Sequence, residues 1–222
     1  MKALMMGLIL TGFVSSTLAM DRAELDDRIR MLTAKFEALQ AQPDKRVPAA
    51  VLRQAQGIIL LDTTKAGFMF AFQGGDGVAM VKDNWGNWSP VAFLNKKEAS
   101  FGFQAGGEQN FYAILLMDTN TTQQLTQSQI NVGGEAGGTA GSNSGSVDGR
   151  FNPPKESIRV YADRAGFYGG MAFKGGTLSP ANNDNAVYYG QSVSMRDILF
   201  DRRVQPTQAA FDLADKIKTY SK

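Results

Sequence analysis

Residues 57–82 read GIILLDTTKAGFMFAFQGGDGVAMVK, and the grain of this stretch decides the fold class. Short apolar runs at 58–61, 68–72 and 78–82 alternate with glycines at Gly67, Gly74, Gly75 and Gly77. Runs of that length, aliphatic or aromatic and bounded by glycine, predict β-strands, and glycine within a sheet marks a bend or a close approach of backbones. The texture continues outward. Residues 88–94, 101–105, 111–117, 130–141, 157–163, 167–173 and 186–193 predict further strands, and Asn84, Gly86 and Asn87 supply turn chemistry between two of them. Ala66-Gly67-Phe68 leading to Gly74-Gly75 is echoed by Ala165-Gly166-Phe167 leading to Gly175-Gly176. The need of a bent antiparallel sheet for glycine accounts for the echo better than an internal duplication does.

Helices flank this sheet. In 21–40 the apolar residues Leu25, Ile29, Leu32, Phe36 and Leu39 recur at spacings of four, three, four and three, one stripe of an amphipathic helix. Asp21 and Glu24 suit its N-terminal end, and Pro43 bars simple continuation. Pro48 predicts the start of a second, short helix with Gly57 as its C-terminal cap. Residues 118–128 predict a short helix carrying Leu125. The chain returns to helix at Met195, Ile198 and Leu199, and again over 206–220, with Ala210, Phe211, Ala214 and Ile217 on one face. Residues 141–154, rich in Gly, Ser and Asn, predict a loop.

At the start of the chain, Lys2, an apolar stretch over 3–14 and the small residues Ser15, Ser16 and Ala19 follow the order of a secretory signal peptide, with cleavage after Ala19. The apolar segment falls short of the ~20 residues that cross a bilayer. The expected mature chain, 20–222, is one domain: helix 21–40, sheet-rich core 47–200, terminal helix 206–220. Its expected location is the periplasm or the exterior, in peripheral association with a membrane.

Composition excludes much. The chain has no histidine and no cysteine, so His-based triads, Cys nucleophiles, disulfides, the usual zinc cages and haem held through His or Cys are ruled out. With 23 basic against 21 acidic residues, it lacks the basic excess of a nucleic-acid binder. No Gly-Lys pair offers a phosphate loop, no Gly cluster spells the dinucleotide fingerprint, and Asn143 stands where a nucleophile elbow needs serine. Asp62, Asp76 and Asp163 form no Asp-x-Asp calcium loop, and no cofactor is indicated. Glu98, Glu108 and Glu135 leave a glycan-cleaving carboxylate pair as a remote alternative. Among the aromatics Trp88, Tyr188 and Tyr189 suit a core, whereas Trp85, in the predicted turn, is the candidate for exposure to lipid or ligand.

A series of motifs in order gives a family resemblance. Val47-Pro48-Ala49-Ala50-Val51-Leu52-Arg53-Gln54-Ala55-Gln56-Gly57 resembles the opening of the SYLF lipid-binding domain. Ala66-Gly67-Phe68, Gly75-Asp76-Gly77-Val78, Trp88-Ser89-Pro90, Gly102-Phe103-Gln104-Ala105-Gly106, Gly166-Phe167-Tyr168-Gly169-Gly170 and Asn185-Ala186-Val187-Tyr188-Tyr189-Gly190 are similar to its successive motifs. The resemblance covers about residues 21–200. It implies a non-catalytic module that binds phospholipid or another anionic head group at a membrane surface, with an amphipathic helix ahead of the Pro48 motif associated with the membrane. A scaffold that binds a protein partner is the alternative.

Periodicity leaves two uses open for the 21–40 helix. As a membrane element it lays Leu25, Ile29, Leu32 and Phe36 into the acyl boundary while Arg22, Arg28 and Lys35 reach head groups. As a structural element the same stripe closes the core, the commoner use of such helices. The expected architecture is α+β, a strongly bent antiparallel sheet or partial barrel with helices at both ends, in which glycines such as Gly102, Gly106 and Gly169 do not tolerate a larger side chain.

Overall fold

A computed structural model describes residues 21–67, 70–101, 106–131, 157–163, 166–168 and 177–222. The expected signal segment, the 141–154 loop, Gly102, Gly169 and Glu135 lie outside these residues. The fold is α+β, and its strands form one open antiparallel sheet among the described residues.

Helix α1, Arg22–Gln40, forms where the periodicity predicts it and begins with a capping box. The Asp21 carboxylate accepts from the Glu24 backbone N–H at 2.9 Å, and the Glu24 carboxylate accepts from the Asp21 N–H at 3.1 Å. Helix α2, Ala49–Gln54, follows Pro48. Gly57 is not its cap. The Ala55 N–H closes the helix onto the Val51 carbonyl, and Gly57 opens strand β1, Gly57–Gly67, where an added Cβ would stand 2.9 Å from Thr122 Cγ2.

Strand β2, Phe70–Val81, takes in two of the predicted strands, and β3, Ala92–Phe101, continues past Leu94. With β4, Gly106–Leu116, these make the middle of the sheet. Glycines taken as breaks between strands are therefore strand interior. A Cβ on Gly75 would lie 2.6 Å from the Asp62 carbonyl oxygen, and one on Gly77 would lie 2.6 Å from the Leu60 carbonyl oxygen. Gly77→Ala is expected to cost about 1–3 kcal/mol through overpacking, read as a lowered thermal midpoint. An unchanged midpoint would mean that β1 and β2 separate freely.

Strands β5, Ile130–Asn131, β6, Ile158–Ala162, β7, Gly166–Tyr168, and β8, Thr177–Pro180, complete the order β5-β8-β3-β2-β1-β4-β6-β7. The runs at the sheet centre are continuous rather than alternating because both faces are covered. One face packs Ile58, Leu60, Val78, Met80, Phe93 and Leu115 against Leu25, Ile29, Leu32 and Phe36 of α1 and against α6, Gln208–Tyr220. The other packs Ile59, Leu61, Ala79, Leu94 and Ile114 against Leu125, which follows α3, Thr119–Gln123, and against Met195, Ile198 and Leu199 of α5, Met195–Leu199.

Two expectations are corrected. Residues 186–193 do not form a strand: α4, Asn182–Tyr189, takes the first four of them and ends at Gly190 with a left-handed φ of 66°. Val187, Tyr188 and Tyr189 look strand-like, but helical spacing turns Asn185 and Tyr188, three residues apart, into the core. In α6 the buried residues are Ala209, Ala210, Leu213 and Ile217, and Phe211 faces outward.

Candidate functional site

The structure separates the residues singled out for lipid. Leu25, Ile29, Leu32 and Phe36 are wholly buried against the sheet, so in this fold α1 closes the core rather than presenting its stripe to a bilayer. Its cations are also engaged. Arg28 donates to Asp184 at 2.8 Å and lies 3.7 Å from Asp76, and Lys35 donates to Asp62 at 2.5 Å. Arg28, Asp62 and Asp76 line a cavity of about 370 Å³ with Met31 and Thr64. Arg22 is exposed, its guanidinium carbon 5.8 Å from the Tyr188 ring centroid. Tyr188 is buried; its hydroxyl donates to Asp26 at 2.6 Å and pairs with Thr207, which ties α1 to α4 and α6. Burial first, then the Asp26 contact, raises the Tyr188 pKa and keeps the phenol neutral.

Trp85 behaves as the turn chemistry requires. It sits between β2 and β3 with 85% of its surface exposed, far more than Met31, Val187 or Phe211. The turn that carries it is braced from within. The Asp83 carboxylate accepts from the Trp85 N–H at 2.9 Å, from the Asn87 N–H at 2.8 Å and from the Asn87 side-chain amide at 3.3 Å. The Gly86 N–H closes on the Asp83 carbonyl, and Gly86 takes the φ of 81° that glycine adopts without strain. Burial alone would raise the Asp83 pKa, but the hydrogen bonds from Asn87 and Trp85 and the Arg202 charge outweigh it and hold the carboxyl below its ordinary range. A depressed folded pKa gives stability that is present above the unfolded value of about 3.9 and lost as pH falls through the folded value, so the turn is intact at neutral pH.

Cations surround this end of the sheet. Lys82 Nζ lies 4.8 Å from the Trp88 ring centroid and donates to the carbonyls of Leu52 and Arg53 at 3.1 and 3.0 Å, where α2 ends; burial lowers its pKa. Arg53 reaches the Ser221 carbonyl at 3.0 Å, and Arg202 pairs with Asp83 at 2.9 Å. Arg53, Lys82 and Arg202 thus lie at the end of the sheet that carries the Asp83 turn and its exposed indole. The predicted turn, Asn84 to Asn87, leaves out Asp83, although an aspartate opening an Asp-Asn-Trp-Gly turn is a local signal for it. Arg202 had no local signal, being more than a hundred residues away.

Of the carboxylates in the remote glycan-cleaving alternative, Glu135 lies outside the described residues, and Glu98 and Glu108 are not brought together. Glu98 and Glu108 occupy β3 and β4 with β2 and β1 between them, Glu98 opposite Gln73 and Glu108 opposite Lys65. Their backbones are therefore about 14 Å apart, three strand spacings. No helix among the described residues is long and apolar enough to cross a membrane.

The chain is an α+β fold, an open sheet clasped by helices on both faces, with an exposed tryptophan on the turn between two central strands. Residues 97–220, more than half of the chain, match the family described as Ysc84, Las17-binding protein actin regulator, and the chain belongs to that family. It is 26% identical over 181 residues to the SH3 domain-containing YSC84-like protein 1 of Rattus norvegicus, covering 81% of this chain and 53% of that protein. It is 28% identical over 170 residues to the protein of the same name from Xenopus laevis, covering 75% and 51%. Protein YSC84 of Saccharomyces cerevisiae is 24% identical over 170 residues, 75% of this chain and 36% of the yeast protein. The chain spans about half the length, or less, of these relatives. No solved structure matches it.

Proposed function

We propose that the chain is a non-catalytic binding domain that docks reversibly on an anionic phospholipid surface, in the cell envelope after export, through the Trp85 turn. The observation that carries this reading is an indole 85% exposed on a turn fixed by the Asp83 carboxylate. Exposing so large an apolar group on a rigid support has a cost in water that docking on a membrane interface recovers, since indole favours the head-group level. Arg53 and Lys82, at the same end of the sheet, add attraction to anionic head groups that salt screens. The family resemblance supports the same reading, and the signal-peptide pattern of residues 1–19 supports export.

The expected result is sedimentation with vesicles of phosphatidylglycerol and phosphatidylcholine that weakens in high salt. Trp85→Ala is expected to reduce partitioning at least about tenfold, the equivalent of losing one buried side chain, without moving the thermal midpoint. Equal sedimentation of variant and parent would defeat the docking site.

A second reading, a protein partner on the same surface, draws on the relatives' names: LAS seventeen-binding protein 3 of Saccharomyces cerevisiae is 24% identical over 170 residues. Exposed tryptophan and arginine are also what interface hot spots use. Under this reading vesicles free of protein leave the chain in solution, and Trp85→Ala weakens capture of the partner instead.

A further inference from the structure

The residue after Asp201 departs from the rule for its position. Helix α5 closes with the Asp201 N–H on the Arg196 carbonyl at 3.0 Å and the Arg203 N–H on the Asp197 carbonyl at 2.8 Å. Arg202, between them, has a φ of 52°, and it is the only non-glycine residue with positive φ among the described residues. A left-handed residue after a helix is normally glycine, which adopts that conformation freely, whereas an L side chain there carries strain. Gly190 does this work at the end of α4. An arginine in such a place calls for a return from its side chain.

The return is two contacts across the chain. Arg202 Nη1 pairs with Asp83 Oδ2 at 2.9 Å, and Nη2 donates to the Asn87 carbonyl at 2.8 Å. One guanidinium therefore spans the first and last residues of the turn on which Trp85 stands. Asp83 organises the turn from inside; Arg202 clamps it from outside and fixes its direction relative to α5. A planar fork with two nitrogens suits this, and an ammonium does not match it.

Resting on the docking role given to Trp85, we propose that Arg202 is the positioning residue of the site. Its left-handed backbone aims the guanidinium so that the indole is held outward before it meets a membrane. Pre-organisation of this kind raises affinity by removing the ordering cost from the binding step.

The test uses the full chain carrying Trp88→Phe, so that Trp85 is the only emitter, with vesicles of phosphatidylglycerol and phosphatidylcholine. Arg202→Gly relieves the backbone strain while deleting both contacts. Expected are a thermal midpoint equal to or above that of the Trp88→Phe parent, a lower Trp85 fluorescence anisotropy in the free protein, and vesicle affinity reduced about fivefold. Arg202→Lys keeps the charge without the fork and is expected to leave both anisotropy and affinity low. Affinity restored by lysine while anisotropy stays low would overturn the proposal in favour of charge alone. Arg202→Gly with parental anisotropy and affinity, beside a Trp85→Ala variant of the unmodified chain that has lost binding, would overturn the positioning role and leave the docking role standing. If Trp85→Ala also binds like the unmodified chain, the docking role fails and takes this inference with it.

Discussion

Ile29→Asp is expected to unfold the domain, or nearly so, and not simply to weaken its binding. Ile29 is wholly buried in the cluster that joins α1 to the sheet, among Leu25, Leu32 and Phe36. The introduced carboxyl would have to stay protonated there. Holding it so at pH 7 against an unfolded pKa of about 3.9 costs ~4 kcal/mol, and the lost isoleucine burial adds ~2 kcal/mol. The sum rivals the whole stability of an ordinary domain. The sign with pH follows. A carboxyl whose folded pKa is raised above its unfolded value destabilises most at high pH, and the penalty shrinks as pH falls toward 4. The loss of thermal midpoint relative to the parent should therefore be larger at pH 8 than at pH 5. Ala34→Asp, on the exposed side of the same helix, is the control and should leave the midpoint within a degree or two. An Ile29→Asp chain that melts like the parent but no longer sediments with vesicles would restore the stripe to the membrane and overturn its place in the core.

The two uses of that stripe show what a single sequence conveys. Spacing placed Leu25, Ile29, Leu32 and Phe36 on one face of one helix, and the helix occupies Arg22–Gln40 almost to the residue. What lies opposite that face is a tertiary fact. A core and an acyl layer are both apolar, and the same periodicity serves either. Strand positions were legible for the same local reason, but strand lengths were not: Gly75 and Gly77 read as punctuation, and only the neighbouring backbone, at Asp62 and Leu60, reveals them as sites of close approach. The 186–193 segment failed in the opposite sense. Its valine and tyrosines favour a strand locally, and the packing of Tyr188 on Phe93, with ring centroids 5.0 Å apart, holds it helical. Trp85 was legible because a turn is local chemistry. Its brace Arg202 was not, since nothing near residue 202 hints at Asp83.

Asn185 is the residue whose loss should matter most without adding a charge. It is fully buried on α4, and its amide does what a neighbouring strand would do. Its Oδ1 accepts from the Phe93 N–H at 2.8 Å, and its Nδ2 donates to the Phe93 carbonyl at 3.2 Å. Strand β8 pairs with β3 only from Leu94 to Lys96, so Phe93 lies just past the end of that ladder and the side chain extends it by one pair. The Phe93 carbonyl has a second donor, the Ala181 N–H at 3.0 Å, whereas its N–H is held by the Asn185 Oδ1. Asn185→Ala therefore strands a buried donor and opens a small cavity, an expected loss of about 2–4 kcal/mol. Asn185→Asp keeps an acceptor for the N–H but sets a carboxylate oxygen against the Phe93 carbonyl and buries a charge. Its loss should exceed that of the alanine variant at pH 8 and diminish toward pH 5, as for Ile29→Asp. Denaturant unfolding gives the order, and hydrogen exchange locates it, because the Phe93 amide should lose protection in the alanine variant before the centre of β1 does. An alanine variant as stable as the parent, with the Phe93 amide still protected, would show that the end of β3 is held by something other than this side chain.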